Sequence, residues 1–195
     1  MDQSNPYASP RSDLTPPAGT AVDTTGPFDP KGRFTRLSWL AWNLVLAVVG
    51  SIVVGGVVLI LGALGLAAMP QPNSAPNAAV PIVGAIVVLI PYLVMAVLGW
   101  ILTIRRFHDI DASGWWSLTL IVPLVNLIAF LVLLFKRGDE SANRFGPPRP
   151  TRDWERVLGI IYIVLLVLGV VGGIIAAIAF PALVDYQTHG MHGMH

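Results

Sequence analysis

The chain has no cysteine, few charges for its length, and none at all inside its long apolar runs. Missing thiols exclude disulfides, thiolate-held metals, iron–sulfur clusters and a cysteine nucleophile together. Charged residues fill 12% of 195 positions against 54% hydrophobic, with a mean hydropathy of +0.70. So little charge cannot solvate the surface of a water-soluble domain of this size. Twelve Lys and Arg against eleven Asp and Glu leave a formal net charge of +1. That balance does not suit neutralisation of many phosphates, so nucleic acid is not an expected partner.

What is present is apolar sequence in four blocks: Leu37 to Met69, Pro81 to Ile104, Trp115 to Phe135 and about Val157 to Val184. The expectation is an all-α, polytopic integral membrane helical bundle in a lipid bilayer, because a spanning segment must satisfy its own backbone groups. As a helix the first block reaches ~50 Å, beyond the ~30 Å hydrocarbon core, and has to tilt, bend or protrude. Pro91 predicts a kink in the second. Residues 1–30 hold six prolines and no apolar run, and read as a disordered tail. Residues 31–150 form the main membrane unit, residues 151–184 an additional transmembrane helix, and residues 185–195 a tail rich in His and Met.

All twelve basic residues lie outside the four blocks. The loop from Pro70 to Val80 and the stretch after Val184 have none. Basic loops stay cytoplasmic, which predicts a cytoplasmic N-terminus in a multi-pass membrane protein. Lys136, Arg137, Arg144, Arg149, Arg152 and Arg156 then create a conflict if the third block crosses fully. Two layouts follow: three crossings plus a re-entrant hairpin turning at Pro123 to Asn126, which the charge rule favours, or four crossings with that rule violated.

The densest polar stretch is Arg105-Arg106-Phe107-His108-Asp109-Ile110-Asp111-Ala112-Ser113-Gly114-Trp115-Trp116. Its arginines suit the negative end of a helix dipole, Ser113 or Asp111 a cap, and the tryptophans a headgroup boundary. His108 and Asp109 are an acid and base side by side, but neighbours on a chain usually point apart, and neither a nucleophile pattern nor metal-ligand spacing accompanies them. No catalytic residue is therefore assigned.

This stretch resembles the DUF805 family of small bacterial inner-membrane proteins, with the pattern R-x-H-D-x-x-x-S-G-W-W met by Arg106, His108, Asp109, Ser113, Gly114, Trp115 and Trp116. Gly32-Arg33-Phe34-Thr35-Arg36, followed by Trp39, is similar to that family's entrance to its first helix. Gly138 to Pro147, containing Asn143-Arg144-Phe145-Gly146-Pro147, is similar to its N-R-Y-G-P exit, with Phe145 in place of the usual Tyr. Asp111 stands where Gly or Asn is common. The resemblance covers about residues 28–150 and implies an inner-membrane location without an established reaction. Together the three blocks place Arg33, Arg36, Arg106, His108, Asp109, Asn143 and Arg144 at one membrane face, as a helix-end network, a docking surface or an anionic-lipid site.

The fourth block carries a shorter likeness. Gly173 to Tyr186 resembles the hydrophobic helix of type IV pilins, which implies contact with pilins or their assembly platform as one alternative. Gly169, Gly173 and Ala177, four residues apart, suit close approach of a neighbouring helix. His189, Met191, His192, Met194 and His195 offer imidazole and thioether groups that suit copper, so weak metal binding by this tail is the one cofactor expectation.

Three function classes remain. An interaction or structural module, alone, as a homo-oligomer or with a membrane-protein partner, fits specific residues clustered at the membrane face. A passive pore for a small solute or ion is the second, since the blocks lack the ionisable residues of coupled transport. The third, an intramembrane enzyme, lacks a recognisable catalytic pattern and is not expected.

Overall fold

A computed structural model describes residues 22–64 and 79–192, with side chains over 22–64 and 82–181. Four α-helices carry the fold: α1 Arg36–Ala63, α2 Ala79–Asp109, α3 Pro123–Phe135 and α4 Asp153–His192; a 3-10 helix, Gly114–Ile121, precedes α3. Among the described residues there is no strand, only a single bridge between Asn143 and Gly146. The chain is thus an all-α membrane bundle.

Three helices are long and apolar enough to cross a bilayer, and their most apolar 18-residue windows are only 11%, 6% and 0% buried for α1, α2 and α4. Such exposure of Val, Ile and Leu is tolerable only where lipid replaces water. The 13 residues of α3 reach ~20 Å, too short to span. Thr35 starts α1, its side chain accepting from the Ser38 amide, and α1 packs between α2 and α4.

Both ends of the 110–136 segment lie at one place. It leaves α2 where the Ala112 amide donates to Phe107 O at 3.0 Å, and it returns where Arg106 Nε donates to Leu133 O at 2.9 Å and the Asp139 amide to Asp109 O at 2.8 Å. The 3-10 arm packs on α2 and α3 packs on that arm, which makes a helical hairpin. Its turn is not Pro123 to Asn126, as the sequence suggested, but Val122. Proline lacks the amide hydrogen that a first helical turn does not need, so Pro123 opens α3, and its ring holds Val122 extended at φ −91°, ψ 115°.

Other boundaries also move. α2 continues from Ile104 through Asp109, because its terminal charges are neutralised there, and α4 runs beyond Val184 to His192. Residues 22–30, expected to be disordered, are instead ordered against the bundle: the Asp23 amide donates to Pro148 O at 3.1 Å, and Phe28 sits edge-on to Trp42 at 5.5 Å. One aromatic and one acid, both spaced to reach the bundle, outweigh a tail-like composition. Residues 1–21, 65–78 and 193–195 lie outside the described residues.

The buried apolar core is confined to one end, where Phe34, Trp39, Leu40, Leu102, Phe107, Ile110 and Leu133 meet. Gly169 and Gly173 have nothing within 4 Å of a Cβ built on them. With Ala177 they lie on exposed helix and make no close approach among the described residues. Close approach occurs at Gly159, where a Cβ would stand 2.7 Å from Leu37 O.

Candidate functional site: a buried arginine–carboxylate cap

The start of α1, the end of α2, the end of α3 and the start of α4 converge on a polar cap whose central charged groups, Arg33, Arg105, Arg106, Asp109, Arg149 and Glu155, are buried. Asp109 is its centre. Its Oδ1 accepts from Arg33 Nη2 at 3.1 Å and Nε at 3.3 Å, while Oδ2 accepts from Arg106 Nη1 at 2.7 Å. Both arginine side chains are fully buried and the carboxylate is 4% exposed, so the pairing is needed to offset desolvation.

Backbone carbonyls take the remaining donors. Arg33 Nη1 donates to Ser141 O at 2.7 Å and Gly146 O at 3.2 Å, and Nη2 to Asp139 O. Arg106 reaches Leu133 O and Lys136 O, and Arg36 Nη1 donates to Phe135 O at 3.1 Å. Two guanidinium groups thereby close the C-terminus of α3, where unpaired carbonyls and the helix dipole both favour positive charge.

The 138–147 loop closes α2 in the same way. Asn143 Nδ2 donates to His108 O at 2.9 Å, and its Oδ1 accepts from the Phe145 amide at 3.0 Å. Gly146 takes φ +117°, a conformation that glycine adopts without a Cβ clash, and completes the tight turn. Phe145 then stacks flat on the His108 ring, 3.8 Å between centroids and 6° between planes. Asp111 adopts φ 55°, which explains why Gly or Asn suits its position, and pairs with Arg144 at 3.1 Å. With both partners at least half exposed, that pair contributes about 0–1 kcal/mol.

The structure therefore brings Arg33, Arg106 and Asp109 into direct contact and gathers Arg36, His108, Asn143 and Arg144 around them through backbone groups. His108 and Asp109 point apart as expected: one side chain stacks on Phe145, the other binds arginines.

Sequence reasoning missed the second half of the cap. Arg105 Nη2 donates to Asp23 Oδ2 at 3.2 Å and Thr25 Oγ1 at 2.9 Å, and Nη1 donates to Asp29 O at 3.0 Å and to Gly26 O. Arg105 and Arg149 both lie over the Phe34 ring, 4.4 and 4.5 Å from its centroid. Glu155, fully buried, accepts from Arg149 at 2.6 and 3.1 Å, Ser38 Oγ at 2.7 Å and Trp42 Nε1 at 2.9 Å. The available signal was an acid in the first turn of an apolar helix with an arginine six residues upstream.

Burial acts to raise the Asp23 pKa, but the Thr25 hydroxyl, the amides of Arg33 and Thr25, and the Arg105 charge outweigh it and hold the group below its usual 3.8. A depressed carboxylate contributes stability that is present above the unfolded pKa and is lost as pH falls through the folded one. The amide signals of Thr25 and Arg33 are accordingly expected to titrate with a midpoint below 3.8, and to lose that titration in Asp23→Asn, as NMR would show.

Among the described residues no group of three His, Asp or Glu is placed to hold a metal. His189, Met191, His192, Met194 and His195 fall outside the residues with described side chains, although the backbone is helical through His192.

Comparison with known proteins matches residues 27–147 to the profile of DUF805, described as a protein of unknown function. The chain belongs to the DUF805 family. Inner membrane protein YhaI of Escherichia coli (strain K12) is 30% identical over 115 residues, 59% of this chain and 80% of that protein. Inner membrane protein YhaH of the same organism is 38% identical over 48 residues, 25% of this chain and only 40% of that protein's length. No solved structure gives a significant match. The DUF805 match contains α1, α2, the helical hairpin and the Asp109 half of the cap, whereas Arg149, Glu155 and all of α4 lie beyond it.

Proposed function

We propose that this DUF805 protein is a structural and interaction module of the bacterial inner membrane rather than a catalyst. In this reading the polar cap pins the ends of the helices, and its outer face, with Arg36, Lys136, Arg137 and Arg144, docks a membrane-protein partner or anionic headgroups at the cytoplasmic side. The supporting observation is that Asp109 is shared by Arg33 and Arg106 while both guanidinium groups also reach backbone carbonyls of the α3 end and the 138–147 loop. A carboxylate so committed holds structure together and has no spare capacity for acid–base work.

Asp109→Ala separates pinning from docking. Pinning predicts that the variant disappears from the membrane fraction on quantitative immunoblotting, since removing one partner of a buried pair costs about 3–5 kcal/mol. Normal abundance together with loss of a co-purifying partner would instead make Asp109 part of a docking surface.

The same reading carries an orientation. Arg33, Arg36, Arg105, Arg106 and the basic residues from Lys136 to Arg156 belong to helix ends and loops at the capped end, and the basic end of such a protein stays cytoplasmic. Protease added to intact spheroplasts is expected to leave the segment between Lys136 and Arg156 uncut. A reporter fused after His195 is expected to be active in the periplasm; cytoplasmic activity there would refute the three-crossing layout.

A further inference from the structure

A cavity of about 370 Å³ opens beside the last turns of α2, lined by Trp100, Ile104 and His108, by Trp115 and Leu118 of the 3-10 arm, and by Phe145. This volume lies in the usual range for small-molecule sites. Its polar content is concentrated in one group. His108 is 8% exposed, and its buried Nδ1 lies by the Gly32 backbone.

The other ring nitrogen, Nε2, stands 3.2 Å from the place a Cβ on Gly114 would occupy. The Ile104 side chain stands 2.9 Å from the same point, so glycine at 114 lets the 3-10 arm pack closely on α2, and Gly114 and His108 both line the cavity. Both serine hydroxyls of the lining are engaged locally: Ser117 Oγ donates to Gly114 O at 2.6 Å, and Ser113 Oγ accepts from the Trp115 amide at 3.4 Å. The imidazole is left as the lining group with hydrogen-bonding capacity to offer, through Nε2, since Nδ1 is buried out of a ligand's reach.

The rest of the lining restricts what that partner can be. No Lys, Arg, Asp or Glu lines the cavity, which disfavours a phosphate headgroup. Flat surfaces dominate, with the His108 and Phe145 rings stacked on each other and two indoles alongside. Trp115 is 79% exposed and Leu118 46%, on a hairpin packed among helices whose apolar faces look into lipid. The mouth therefore opens toward acyl chains, so a ligand reaches it from within the bilayer.

We propose that this cavity binds the head of a bilayer-soluble quinone: an uncharged, planar, carbonyl-bearing ring on an apolar tail. The ring lies among the aromatic side chains, His108 donates an N–H to a ring carbonyl, and the tail leaves past Trp115 and Leu118. The proposal concerns binding and is independent of the pinning role assigned to Asp109.

The test uses the full chain with ¹⁵N-labelled histidine in phosphatidylcholine nanodiscs, titrated with decyl-ubiquinone and, separately, with dioleoylglycerol. Decyl-ubiquinone is expected to move the His108 ring nitrogens saturably, leaving those of His189, His192 and His195 in place, and to quench indole fluorescence with the same saturation. His108→Phe keeps a flat ring against Phe145 and removes the hydrogen bond; at least tenfold weaker binding is expected. Leu118→Trp fills the mouth from an exposed position, so it should retain the wild-type melting temperature and also bind at least tenfold more weakly. Quenching that rises linearly with quinone and is equal in all three proteins would mean partitioning into lipid and would overturn the proposal. So would a response of His108 to dioleoylglycerol alone.

Discussion

Glu155→Ala is expected to lower stability by about 3–5 kcal/mol and to release α4 from α1. The carboxylate is fully buried and takes hydrogen bonds from the Arg149 guanidinium, the Ser38 hydroxyl and the Trp42 indole. Alanine would leave Arg149, itself 5% exposed on its side chain, without its carboxylate partner, and Trp42 without an acceptor. The contact matters more than its size suggests because bilayer burial gives α4 no hydrophobic reason to prefer α1 over lipid. Besides Glu155, the two helices are held by the close approach of Gly159 to Leu37 and by the edge-on Trp42–Trp154 pair at 5.4 Å. Thermal melting in mild detergent is the measurement, and the double variant Glu155→Leu with Arg149→Leu is the control. Removing both charges should recover part of the loss, since two apolar side chains do not incur the cost of an unpaired buried ion. Equal melting temperatures for Glu155→Ala and wild type would show that the ion pair does not anchor α4.

The apolar blocks were legible because a spanning helix has one physical requirement, a run of side chains that lipid accepts, and it leaves a direct trace in sequence. Placement of the basic residues added the hairpin, since each Lys or Arg reports where its loop must lie. What stayed hidden was pairing at long range. Asp23 and Arg105 are 82 residues apart and Ser38 and Glu155 are 117 apart, and no periodicity connects them. The hairpin turn was misplaced for a local reason: proline was read as the bend itself, whereas it is the first residue after the bend. Composition misled for residues 22–30, because ordering there depends on specific contacts, chiefly those of Asp23, Thr25, Gly26 and Asp29 with Arg105 and of Phe28 with Trp42, rather than on an average. Gly169, Gly173 and Ala177 have the spacing of a packing seam, but spacing says only that a helix can approach, not that one does.

Gly138→Ala is expected to be as damaging as removing Asp109, although glycine 138 carries no functional group. A Cβ at this position would stand inside the Asp109 carboxylate, overlapping both oxygens and the carbon between them. The loop cannot simply back away, because the neighbouring Asp139 amide donates to Asp109 O at 2.8 Å and the Asp139 carbonyl receives Arg33. The carboxylate therefore has to leave, and its departure leaves Arg33 and Arg106 buried with one shared counter-charge gone. Overpacking alone costs about 1–3 kcal/mol. Displacing the carboxylate relieves that overlap and substitutes the loss of a buried ion-pair partner, about 3–5 kcal/mol, a large share of the stability of a marginal domain. Membrane abundance should fall to that of Asp109→Ala, and the double variant Gly138→Ala with Asp109→Ala should be no worse than either single one, because both act by emptying the same place. Gly146→Ala is the comparison that isolates the mechanism. Its Cβ would meet nothing within 4 Å, and φ +117° makes its cost one of backbone strain, which should add to the Asp109→Ala loss instead of being absorbed by it.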